Sequence, residues 1–106
     1  MIKTETFREI ALSMPHAEEK PHFDKTSFRV KGKIFATLNT ERNLATIKLN
    51  AVDQNVFSTV NTGIIYPVPN KWGQQGWTHI ELGKVKKNTL VDALTTSYYE
   101  TVKPSR

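Results

Sequence analysis

The stretch Ser27 to Leu38, SFRVKGKIFATL, holds two runs that alternate with period two on either side of Lys31-Gly32. A two-residue connection with a glycine able to take positive φ is the mark of a tight β-hairpin, so the sheet begun here is antiparallel. Beyond it the polar stretch Asn39 to Asn43 turns the chain into Leu44 to Leu49. There Ala45, Ile47 and Leu49 face one way and Leu44, Thr46 and Lys48 the other, which completes a three-stranded meander.

Further along, Asn50 is placed to cap a short helix through Val60, with Val52, Val56, Phe57 and Val60 as an apolar stripe and Asn61 and Gly63 closing it. Gly76 to Leu82 reads as another strand, with Ile80 and Leu82 on one face and His79 and Glu81 on the other. Asn88 or Thr89 caps a last helix with Asp92 in its first turn and Leu90, Val91, Leu94 and Tyr98 buried; Lys103 to Arg106 form a frayed tail. On the N-terminal side His16 to Lys25 is a polar loop or short irregular strand interrupted by Pro21. Before it a first helix, capped by Thr4 or Thr6 with Glu9 in capping-box spacing, lines up Phe7, Ile10, Ala11 and Met14 and stops at Pro15. The order helix, three or four strands, helix, strand, helix predicts an α+β domain, an antiparallel β-sheet with helices packed on one side.

At 106 residues, 38% hydrophobic and 24% charged, the chain fits one domain with a core of its own. No run approaches the roughly 20 apolar residues of a membrane span. The first ten residues carry Lys3, Glu5, Arg8 and Glu9 where a secretory signal would be apolar, and cysteine is absent, so a cytoplasmic location is expected. A net charge of +5 favours polyanionic partners.

A second stretch, Tyr66 to Thr78, YPVPNKWGQQGWT, gathers two tryptophans, two prolines, two glycines and a lysine between two regular elements. Together with Met14 to Leu38, MPHAEEKPHFDKTSFRVKGKIFATL, it resembles the MmcQ/YjbR family of small bacterial proteins, and the likeness in element order covers nearly the whole chain. The resemblance implies a CyaY-like fold, and it implies the DNA binding ascribed to the family through a proposed paired-wing surface. Members often carry glycine where this chain has His16 and Asp24.

Two clusters stand out as sites for such a partner. Arg29, Lys31 and Lys33 lie on or beside the hairpin turn, and a protruding basic wing can follow a phosphate backbone; lysine guarding an edge strand is the competing reading. Lys71, Trp72 and Trp77 form the other, where an indole stacks on an unpaired base and lysine meets a phosphate. Core packing competes for the tryptophans, and Trp77 is the better candidate for burial on its strand pattern. Lys84, Lys86 and Lys87, before the last helix, could hold a phosphate at its N-terminus, and Arg42 and Lys48 extend the basic inventory.

His16, His22 and His79 show no metal-ligand spacing, and the first helix balances Glu5 and Glu9 against Lys3 and Arg8, unlike the acidic ridge of the frataxins that share the implied fold. No nucleophile elbow, cysteine nucleophile or phosphate-cradling glycine loop is present. The expectation is therefore a monomeric, non-enzymatic protein that binds nucleic acid, DNA first, without cofactor, metal or membrane. The alternative is a protein-interaction or small-ligand module that uses the Trp72 loop.

Overall fold

The structure, a computed structural model, describes residues 1–103. Helix α1 (Thr4–Leu12) leads into β1 (Glu18–His22), β2 (Lys25–Val30), β3 (Lys33–Asn39) and β4 (Leu44–Lys48). Helix α2 (Ala51–Val60), β5 (Ile65–Pro67), the short helix α3 (Lys71–Gln74), β6 (Trp77–Glu81) and α4 (Lys87–Val102) follow. The six strands form one sheet in the order β1-β2-β3-β4-β6-β5, every neighbouring pair antiparallel. The fold is α+β, as the hairpin and meander predict. Pro104 to Arg106, the end of the expected tail, lie outside the described residues.

The Lys31-Gly32 turn is tighter than glycine alone requires: Lys31 has φ 52° and Gly32 φ 77°. Positive φ at both central residues is the pattern of a type I′ turn, whose twist matches the flanking strands. Lysine is a poor occupant of the first position, whereas asparagine tolerates it through its short polar side chain. Lys31→Asn should therefore stabilise the fold by about 0.5–1 kcal/mol, read as a higher urea midpoint with an unchanged slope.

A bulge breaks the expected alternation within this hairpin. Phe28 pairs with Ala36 but Arg29 pairs with Ile34, so Phe35 is left over between them. The extra residue lets Phe35 and Ala36 both be buried, while Ile34 and Thr37 stay half-buried on the other face. Phe35 meets Tyr98 of α4 edge to face at 5.5 Å, and Phe28 meets Phe7 of α1 at 5.7 Å. Around these rings Leu38, Ala45, Ile47, Ile65, Ile80, Leu90 and Leu94 complete the core between the sheet and the helices. Each large apolar side chain buried there stabilises by about 1.5–3 kcal/mol.

Several expectations at element ends are corrected. The N-cap of α1 is Lys3, with no side-chain cap, so neither Thr4 nor Thr6 forms the capping box. Helix α4 begins at Lys87 with Lys86 as its N-cap, two to three residues before the expected caps, and the Asn88 Oδ1 accepts instead from the adjacent Thr89 N–H at 2.8 Å. Asp92 consequently falls beyond the first turn, and Val91 is exposed. Asn50 does cap α2, its Oδ1 accepting from the Asp53 N–H at 2.8 Å. The apolar stripe of that helix faces water, however: Val52 is 72% and Val60 75% exposed, and of the four only Phe57 packs against the core. The polar run after α1 is the edge strand β1, where Pro21 removes a donor without breaking an interior ladder. His16, at a position where the resemblance expects glycine, takes φ 62°.

Candidate nucleic-acid interface

Helices α1 and α4 cover one face of the sheet, and α2 packs beside β5. The opposite face carries the residues that alternate outward: Ser27 and Arg29 on β2, Thr37 and Asn39 on β3, Leu44, Thr46 and Lys48 on β4, and Trp77, His79 and Glu81 on β6. The sheet curls across this face, so that His22 and Lys25 at one edge and Val68, Asn70 and Trp72 at the other border one groove of about 650 Å³. Ile34, Leu44 and Trp77 give it an apolar floor, and Arg42 closes one end.

The tryptophan segment forms the far wall because two glycines allow it to fold close. A Cβ on Gly73 would stand 1.9 Å from the Val68 carbonyl oxygen, and one on Gly76 2.0 Å from that of Leu49. The Asn70 Oδ1 accepts from the Trp72 N–H at 2.8 Å and starts α3. From α2 the Gln54 amide donates to the Gly73 carbonyl at 2.9 Å and to the Thr78 hydroxyl at 3.1 Å, clamping α3 onto the sheet. Trp72 is thus held with half of its surface open to solvent. Trp77 is half-buried, as its strand pattern suggested, with the Lys48 ammonium 5.3 Å from its ring centroid, a cation–π contact.

Charge in the groove is uniformly positive or neutral. Among the described residues its lining includes Lys25 and Arg42 and no carboxylate. The described salt bridges engage only Arg8, with Glu5 and Glu19, and Lys103, with Glu100, so no carboxylate of the described residues forms an ion pair with Lys25, Arg42, Lys48 or Lys71. His79 registers this field. Its pKa lies below the usual histidine value, first because it is half-buried and next because Lys25 and Arg42 oppose a further positive charge, Glu81 pulling the other way. Its Nδ1 shares a 2.9 Å hydrogen bond with the Thr46 hydroxyl. Glu81 itself accepts from the Tyr66 hydroxyl, a bond that raises the Tyr66 pKa together with burial.

Of the residues singled out in the sequence, Arg42, Trp72 and Trp77 line the groove. Lys48 sits over Trp77, Lys71 precedes Trp72 on α3, and Lys31 and Lys33 occupy the turn at the Lys48 end of the sheet. Arg29 departs from expectation: it is half-buried on the sheet face, its Nε donating to the Ser27 hydroxyl at 3.0 Å, and does not project freely beside Lys31. Lys84, Lys86 and Lys87 border a separate depression with Met1, Lys3 and Thr6, past the other end of the strands, and do not join the groove. Lys25, Asn39, Asn70 and Gln54 join or support the site without belonging to either cluster legible in the sequence. The strand alternation that places Thr46 and His79 on the open face was the available signal for the floor; Lys25 and Gln54 act across the sheet and between elements and left no local signal.

A family model described as YjbR matches residues 12–100. The chain belongs to the YjbR family. Among solved structures, the YjbR-family chain is similar to the crystal structure of Deinococcus radiodurans protein DR2400, described by the domain DUF419. The TM-score is 0.82 and the identity 21%, over 97% of this chain and 80% of that one. At that identity the likeness bears on the fold. No curated protein matches. None of the described YjbR-family helices is long and apolar enough to cross a membrane.

Proposed function

We propose that this YjbR-family chain is a non-enzymatic nucleic-acid-binding protein, with DNA the first partner to test. It would hold the phosphate backbone along the open sheet face through Lys25, Arg42, Lys48 and Lys71 and through the Lys31 and Lys33 wing. The observation that carries this reading is the groove in which two indoles and two cations without an ion-pair partner among the described residues meet, with no carboxylate among the described lining residues. Such a surface attracts a polyanion electrostatically and offers aromatic area besides. Arg29 and the Lys84 to Lys87 cluster fall outside this interface.

Titration of a labelled duplex and of a single strand at 50 and 200 mM salt tests it. If about five phosphates are neutralised, log K for duplex falls with a slope of about −4.5 against log salt, a loss of roughly 500-fold over that range. Charge reversal at Lys31 and Lys33 together, Lys31→Glu with Lys33→Glu, should weaken binding severely, and Lys84→Glu should change it little. A flat salt response, or no binding at 50 mM, rejects the reading. The apolar floor supports a second one, a protein or small-ligand contact centred on Trp72; there Trp72→Ala would be the damaging change and charge reversal the mild one.

A further inference from the structure

The groove has a chemical shape that a phosphate-tracking surface does not need, and resting on the nucleic-acid reading above, we propose that it seats one unpaired nucleotide of a single strand. In this arrangement the base lies against Trp72 and Trp77 while flanking phosphates meet Lys25 and Arg42.

Three features of the site support this occupant. The first is open aromatic area: Trp72 stays half exposed although Gln54 and two closely packed glycines hold its helix in place. An indole fixed in that state has a face to offer before any ligand arrives, so little ordering cost accompanies stacking. The second is the direction of the polar groups. Asn39 Oδ1 accepts from the Arg42 N–H at 3.1 Å and Asn70 Oδ1 from the Trp72 N–H at 2.8 Å. A backbone N–H can be accepted only by the amide oxygen, so neither NH₂ group has a partner among the described residues. These NH₂ groups together with Lys25 and Arg42 make the rim rich in donors, suited to base carbonyls and phosphate oxygens. The third is size. About 650 Å³ falls within the range of small-molecule sites.

A duplex cannot use such a floor. Its bases keep their faces inside the stack, so it would engage the rim cations while leaving the indoles unmatched. Stacking on an aromatic side chain contributes roughly 1–3 kcal/mol per base, which is a factor of roughly 5 to 150 in affinity.

The experiment is a tryptophan-fluorescence titration of the intact protein at 50 mM salt with four probes: a short single strand, the same sequence as duplex, that strand with central abasic sites, and a free mononucleotide. The expected result is single strand bound roughly tenfold or more tighter than duplex, with abasic substitution and Trp72→Leu each removing most of that advantage. Because Trp72 is half exposed, Trp72→Leu should fold, which circular dichroism and an unchanged urea midpoint would verify; Lys25→Gln supplies a second variant that should weaken single strand and duplex alike. Equal affinity for single strand, abasic strand and duplex, with the usual salt dependence, would overturn the unpaired-nucleotide site and leave the nucleic-acid reading standing. Mononucleotide binding as tight as the strand would overturn the strand as occupant. Absence of binding to all four would remove the nucleic-acid reading itself.

Discussion

Gly76→Ala should lower stability by upwards of about 3 kcal/mol, through overpacking and backbone strain together. Gly76 has φ +107°, a region essentially closed to L side chains, and its added Cβ would fall 2.0 Å from the backbone carbonyl oxygen of Leu49. Neither partner can yield cheaply, because the Leu49 N–H donates to the Gly76 carbonyl at 2.9 Å and so ties the two backbones together. Gly63→Ala is the control: Gly63 has φ +78° with nothing within 4 Å of the added Cβ, so it should cost about 1 kcal/mol of backbone strain alone. For a chain of this size 3 kcal/mol corresponds to a drop of roughly 12–20 °C in Tm. Thermal melts of both variants decide the matter, and a Gly76→Ala protein that melts with Gly63→Ala would show that the Leu49 contact relaxes freely.

Ser97→Ala should cost about 2–4 kcal/mol, far more than the loss of one hydroxyl from a helix surface. The Ser97 hydroxyl is buried and serves two strands at once: it donates to the Phe35 carbonyl at 2.8 Å and accepts from the Lys48 N–H at 3.0 Å. The β3–β4 register ends at Ala36 and Ile47, so Phe35 and Lys48 are the next facing positions, and the Ser97 hydroxyl bridges them past the end of that ladder. Removing the hydroxyl strands a carbonyl and an N–H away from water, each costing about 1–3 kcal/mol when unsatisfied. Thr96→Ala, which loses only an exposed bond from the Thr96 hydroxyl to the Asp92 carbonyl, should stay within about 0.5 kcal/mol. Urea unfolding of the two variants measures the difference; near-equal midpoints would refute the bridging role.

Both results bear on the groove. Gly76 sets the start of β6 and with it Trp77, while the bulge at Phe35 turns Ile34 and Thr37 toward the open face. The aromatic floor therefore depends on backbone devices on the side facing away from any ligand. The exposed valines of α2 show the reverse case, a periodic stripe that the fold leaves outside because α2 packs mainly beside β5 and reaches β6 through Gln54.

What the chain alone dictated is local: the Lys31-Gly32 hairpin, the alternation of Leu44 to Leu49 and of Trp77 to Glu81, the Asn50 cap and the family likeness of the tryptophan segment. Each of these rests on residues close in sequence, where periodicity, turn chemistry and capping act without help from afar. Strand β5, only three residues long, the bulge at Phe35 and the burial of Ser97 became visible only in three dimensions, because their causes lie in register and in contacts with a distant helix. The same is true of the groove. Lys25, Arg42 and Trp72 are far apart along the chain, and only the curl of the sheet, set by backbone twist, brings them around one floor and leaves Lys84, Lys86 and Lys87 outside it.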